Sequence, residues 1–170
     1  MKKIASDEAT LLFIHYGPLS PFVSKDVEIL SKHFNVKFIH CHNIIDILRA
    51  ISMIPSVRVT FVWFGQMIAA LIVFFSRLFG AHSVVVAGGR DAANMPEIGY
   101  GQMSHPIKKW FSVYSFRFAD AVLAVSKYTR REVLKALSRY PRRVELVYNG
   151  LDAKRFYPSS SKERIALTVV

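Results

Sequence analysis

The residues of this chain best suited to chemistry fall in one stretch, Gly88-Gly89-Arg90-Asp91. Adjacent glycines permit positive φ and let a ligand approach the backbone closely. Arg90 can pair with a phosphate or carboxylate, and Asp91 can accept hydrogen bonds from sugar-type hydroxyls. The segment continues through Asn94, Glu97, Tyr100 and Gly101, about 17 residues before the next helical pattern. Loops of that length are usually functional or unstructured. A Gly-Gly turn beside an exposed Arg–Asp pair would explain the same residues, so spacing alone leaves both readings open.

Other chemistries lack their residues. No G-x-G-x-x-G follows the first apolar run, and no G-x-x-x-x-G-K-[ST] or G-x-S-x-G occurs, so a phosphate cradle and a hydrolase elbow are missing. His33, His40, His42, His82 and His105 show no metal-binding spacing, and no metal is expected. His15 reads as a core or edge histidine. The lone Cys41 excludes a disulfide framework and a cysteine-ligated zinc site.

Charge supplies a second lead. The 170 residues carry 23 Lys and Arg against 12 Asp and Glu, a net of +11, which points to anionic partners. The excess is localised: residues 1–100 have a net of +2 and residues 101–170 a net of +9. Lys127, Arg130, Arg131, Lys135 and Arg139 recur at three- and four-residue spacing, and Arg142 and Arg143 extend the run. This pattern suits a solvated helix face, or a surface that holds anionic lipid headgroups. No nucleic-acid motif accompanies it, and no nucleic acid is expected as a partner.

These residues need a scaffold. Apolar runs at Leu11–Tyr16, Val36–Cys41, Val57–Phe64, Ser83–Ala87, Ala121–Val125 and Val144–Tyr148 predict six strands. Helices are predicted at Phe22–Phe34, Ile44–Ile54, Met67–Phe79, Pro106–Ala119 and Lys127–Ser138, the last capped by Ser126. The strands read as continuous apolar runs rather than alternating ones, as when both faces are covered. Strand–helix alternation then predicts an α/β fold with a Rossmann-like, doubly wound parallel sheet. Its ligands bind at the carboxyl edge. That edge collects Tyr16-Gly17-Pro18, His42-Asn43, Gly65-Gln66, Gly88–Asp91, Ser126-Lys127 and Asn149-Gly150 with Asp152. Val59–Ser76 holds 18 residues without a charge, but Gly65-Gln66 divides it into a strand and a helix rather than one span. Lys2 and Lys3 do not open a signal peptide, because Asp7 and Glu8 stand where its apolar region would be.

Ala119-Asp120-Ala121-Val122-Leu123-Ala124-Val125-Ser126, the basic helix, then Val144–Asp152 with Asn149-Gly150, and Phe156-Tyr157-Pro158 form an ordered pair of signatures. The chain resembles the N-terminal domain of family 4 glycosyltransferases of GT-B architecture. The resemblance is specific mainly in residues 119–158, with Gly88–Gly101 in support.

The resemblance implies an acceptor-side domain spanning residues 1–158, with 159–170 as the linker and first strand of a donor-binding domain. Tyr157–Glu163 would be the linker and Ile165–Val170 that strand. The implied reaction is hexosyl transfer, with retention and no cofactor, from a UDP- or GDP-sugar to an acceptor hydroxyl. A glycan or lipid-linked sugar of the cell envelope would be the acceptor. The donor-site Glu-x7-Glu motif is absent, so this chain alone is expected to be inactive. Where many members place a histidine after the fourth strand, this chain has Gly88-Gly89-Arg90-Asp91, which passes the sugar-contacting, catalytic role to Asp91. Gly17, Gly88, Gly89, Arg90, Tyr100 and Gly101 become substrate-binding candidates. Ser126, Asn149, Gly150 and Asp152 become cleft candidates. The first loop, Tyr16-Gly17-Pro18-Leu19-Ser20, has one glycine where the family is Gly-Gly-rich. A cytoplasmic protein, peripheral on the inner face of the membrane through Arg130, Arg131, Arg142 and Arg143, is the matching expectation. A non-catalytic α/β module binding an anionic ligand at Gly88–Asp91 is the alternative.

Overall fold

The computed structural model describes residues 10–137 and 143–150. Arg139, Arg142, Asp152, the expected linker and the expected strand at Ile165–Val170 lie outside them, as does the expected domain boundary.

Among the described residues six strands form one parallel sheet: β1 Thr10–Tyr16, β2 Asn35–Cys41, β3 Val59–Trp63, β4 His82–Ala87, β5 Ala121–Ala124 and β6 Val144–Leu146. Their order is β2-β1-β3-β4-β5-β6. Five α-helices connect them: α1 Pro21–Leu30, α2 Ile44–Met53, α3 Met67–Phe79, α4 Pro106–Phe118 and α5 Lys127–Leu137. The doubly wound Rossmann-like fold read from the sequence is the one observed.

Strand order fixes which helix covers which face. The chain steps from β1 to β2 in one direction and from β3 onward in the other, so right-handed crossovers put α1 on the face opposite the other helices. Packing agrees. Val23, Phe22 and Val27 of α1 meet Leu11, Phe13, Phe61 and Trp63 on one face. Ile47, Ile72, Phe116 and Val133, from α2 to α5, meet Leu12, Ile14, Val62, Val85 and Val122 on the other. Complete cover of both faces, expected from the apolar strands, holds only for the second face among the described residues. On the α1 side Val59, Val84 and Leu123 stay half-buried, and they border a shallow apolar groove with Phe34 and Phe61.

Local chemistry sets the ends of the elements. Asn43 caps α2 by accepting from the N–H groups of Ile45 and Asp46, while Asp46 accepts from the Asn43 N–H. Gly80 closes α3 at φ 74°. Helix α1 stops at Leu30, short of Phe34, because the Lys32 and His33 N–H groups bond only three residues back, to Ile29 and Leu30. Strand β3 is shorter than expected at both ends: a 3₁₀ turn over Ile54–Ser56 precedes it, and Phe64 turns to φ 67° after it. Strand β6 ends at Leu146, leaving Val147 and Tyr148 exposed. Buried hydroxyls of Thr60 and Ser76 bond at 2.8 Å and tie β3 to α3. Asp120 of the Ala-Asp signature accepts from the Ser83 N–H at 2.8 Å and so joins the starts of β4 and β5.

Candidate functional site

Where β1 and β3 lie side by side, the connections leave in opposite directions, and open α/β sheets bind ligands at that switch point. A cavity of about 640 Å³ opens there. Its floor is Ile14 and Tyr16 of β1 with Val62 and Trp63 of β3. Its walls come from the first turns of three helices: Asn43 and Ile44 at α2, Gln66 and Met67 at α3, Ile107 and Lys108 at α4. Phe64, Phe111, Gly101 and Gln102 complete much of the lining.

The electrostatics of the lining are one-sided. Arg90, Lys108, His42 and His105 face the cavity, and among the described residues no Asp or Glu lines it. Helix α3 enters with no side-chain cap on its first N–H groups. Such a helix terminus adds partial positive charge that favours an anion. The wall is otherwise largely apolar, so the cavity suits a ligand with an anionic part and an apolar part.

The Gly88–Asp91 stretch splits into two roles. Arg90 is exposed and lines the cavity, as a ligand-pairing residue should. Asp91 does not. It is 1% exposed, and its carboxylate accepts the N–H groups of Gly65 at 2.7 Å, Gly89 at 2.9 Å and Gly88 at 3.3 Å. Burial pushes its pKa up, while the N–H groups of Gly65, Gly89 and Gly88 oppose the shift. Geometrically Asp91 clamps the β3–α3 turn to the β4 loop, and the expected sugar contact gives way to a positioning role. The carboxylate is consumed by backbone donors that a sequence does not show.

Gly89 adopts φ 120°, which aims its N–H at Asp91. Gly65 is needed for a different reason: a Cβ there would run into the Phe116 ring. Gly88 and Gly89 thus build the loop, whereas Gly101 lines the cavity. Gly17 lies beside the cavity-lining Tyr16, and its carbonyl oxygen meets His40 Nε2 at 2.6 Å. The neighbouring His15 is 1% exposed, and its Nε2 meets the Pro18 carbonyl oxygen at 3.0 Å. Two histidines therefore fix the first loop that one glycine leaves less free. Burial lowers the His15 pKa. Tyr100 stands apart, its backbone paired with Met95 in a small hairpin.

Ser126 performs the capping role read from the sequence, its Oγ accepting from the Thr129 N–H at 3.0 Å. Asn149 and Gly150 are exposed beyond β6. Of the expected basic surface, Arg142 lies outside the described residues and the other three arginines have partners. Arg130 Nε donates to the Val144 carbonyl, Arg131 pairs with Glu132, and Arg143 pairs with Glu145 at 3.0 Å. Cys41 is buried and its thiol is pushed up to about 11, too high for a nucleophile at neutral pH. No cluster of His, Cys, Asp and Glu among the described residues could hold a metal ion. Sequence reasoning missed His105, Gln102 and Lys108, because they lie in the first turn of α4 or just ahead of it, and only strand order brings that helix start to the β1–β3 switch point.

Comparison with known proteins follows the same outline. The profile described as Glycosyltransferase Family 4 matches residues 8–155. The chain belongs to this family. Two solved structures of HepE from Anabaena, one in complex with UDP-glucose and one with UDP and glucose, share its fold. The first superposes with a TM-score of 0.58 at 14% identity, over 89% of this chain and 46% of that one. The second gives 0.57 at 14% identity, over 90% and 47%. This family 4 domain therefore spans about half the length of those structures. No curated protein matches its sequence significantly.

Proposed function

We propose that this family 4 domain is the acceptor side of a retaining glycosyltransferase of hexosyl type. The sugar moves from a UDP- or GDP-sugar, bound mainly by a second domain, to a hydroxyl of an acceptor held in the switch-point cavity. The observation that carries this reading is the lining: Arg90, Lys108, His42 and His105 with no carboxylate among the described residues, at the edge where such sheets bind ligands. Family membership supports the class of reaction, and the UDP-glucose of the HepE structure supports a nucleotide-sugar donor. The cationic lining favours an acceptor that carries phosphate, as lipid-linked sugars of the cell envelope do.

In this reading Arg90 and Lys108 hold the acceptor's anionic group and leave a hydroxyl presented toward the donor. Asp91 keeps the loop that carries Arg90 against the β3–α3 turn. Glucose 1-phosphate serves as a soluble probe in calorimetric titration of the chain. Binding should weaken about 10- to 100-fold in Arg90→Ala, the effect of losing a charge-assisted hydrogen bond. Equal affinity for both proteins would reject the assignment of the cavity. Rapid sugar transfer by this chain alone would reject the division of labour between domains.

A further inference from the structure

The mouth of the cavity is built from side chains that a water-facing surface seldom gathers. Ile107 is 75% exposed, Ile45 70%, Ile44 64% and Trp110 61%, with Leu48 and Met67 beside them. Ile44, Met67 and Ile107 all line the cavity, which places the three helix starts around one opening. Ile45 and Leu48 continue the surface along α2, and Trp110 follows Ile107 by one turn of α4. Contiguous exposed apolar surface of this kind marks a docking site.

Charge says what docks there. Helices α2, α3 and α4 place Lys108 and Lys109 in the first turn of α4 beside the mouth, with Arg49 further along α2, while Arg77 and Arg117 sit in the last turns of α3 and α4, away from it. Their one acidic residue, Asp46, is committed to capping α2 through the His42 and Asn43 N–H groups. Lys108 and Lys109 flank the exposed Ile107 and Trp110 and have no ion-pair partner among the described residues. Apolar side chains beside two lysines, with a tryptophan next to them, match the headgroup region of an anionic bilayer. No described helix is long and apolar enough to cross a membrane.

We propose that the α2–α4 mouth, through Ile44, Ile45, Ile107 and Trp110 with Lys108 and Lys109, docks on an anionic phospholipid leaflet and opens the cavity at headgroup level. A lipid-anchored acceptor would then enter sideways, its chain still in the membrane and its phosphate on Arg90 and Lys108. This second step rests on the acceptor-site reading above; docking itself does not. The face lies apart from Arg130 and Arg131 of α5 and from Arg143 ahead of β6, which are held by the Val144 carbonyl, Glu132 and Glu145.

The chain's two tryptophans make the test direct, since Trp63 is 3% exposed and Trp110 alone can report. Vesicles of phosphatidylcholine with phosphatidylglycerol, and of phosphatidylcholine alone, are mixed with the chain, with and without lipids brominated on the acyl chain. The expected result is sedimentation with the anionic vesicles, a blue shift of Trp110 emission, and quenching by the bromines. Ile45→Asp and Ile107→Asp, both at exposed positions, should each weaken partitioning about 10- to 100-fold, while Arg131→Glu changes it little. Binding lost in Arg131→Glu but kept in the isoleucine variants would overturn the proposal in favour of the α5 surface. Absence of vesicle binding would overturn it, and so would a concentration-dependent blue shift without lipid, which would assign the face to a second copy of the chain. Glucose 1-phosphate titration is independent of vesicles, so failure of docking and failure of the acceptor site are read separately.

Discussion

Replacing Asp91 by alanine tests whether that residue positions the site or meets the sugar. The substitution removes the acceptor of three backbone N–H groups, from Gly65, Gly88 and Gly89. Gly65 is buried, and the other two are half-buried. A buried donor left unsatisfied costs about 1–3 kcal/mol. Taking most of that for Gly65 and a smaller part for each partner gives a loss of about 3 kcal/mol. Domains of this size are stable by about 5–15 kcal/mol, so the variant should still fold at low denaturant. With a urea dependence of about 2 kcal/mol per molar, the unfolding midpoint should fall by about 1.5 M. Asp91→Asn keeps the volume and one acceptor oxygen but turns an NH₂ toward a backbone donor, and should fall in between. Urea unfolding followed by circular dichroism reads both values, with an unchanged slope showing that the same transition is measured. Midpoints within about 0.3 M of the parent for both variants would refute the positioning role and return Asp91 to the list of ligand-contacting groups.

Two further outcomes follow from buried groups. His15 is neutral and buried with a pKa below 6.5, so the unfolded chain takes up its proton first as pH falls. Its contribution to stability is therefore present above that value and declines below about 6.5. Urea midpoints from pH 7.5 to 5.5 should show this decline and a shallower one in His15→Gln; parallel slopes would refute it. The carboxylates of Glu28 and Glu132, which meet lysines, and of Asp46, which accepts the His42 and Asn43 N–H groups, have lowered pKa values and titrate in a more acidic window. Gly65→Ala drives a Cβ against Phe116, which is fully buried and has no room to retreat. A cost of about 1–3 kcal/mol is expected for such overpacking, visible as a melting point lower by several degrees, and an unchanged melting point would contradict the packing described.

Much of the fold is legible in the chain because apolar runs and turn residues report burial directly. Met67–Phe79 is a helix at both ends as read, since a largely apolar segment with one charge, Arg77 in its last turn, ends on Gly80, which takes the left-handed cap. Ser126 is legible as a cap for the same local reason. The Ala119-Asp120 signature is legible as a pattern, but its cause is not: Asp120 is there for the N–H of Ser83, 37 residues away. Arg90 and Asp91 are adjacent and both polar, yet one faces the cavity and the other is sealed beneath it.

By itself, then, the sequence determined the parallel α/β alternation, the carboxyl edge as the place for ligands, and a basic character suited to anionic partners. Each follows from short-range periodicity, turn chemistry or residue type. Only the tertiary structure decided the neighbour order of the strands. That order creates the switch point between β1 and β3, carries the start of α4 to it, and brings His42, Arg90, His105 and Lys108 to one cavity. Strand order depends on pairings between residues far apart in the chain, and periodicity holds no record of which distant strand supplies the partner.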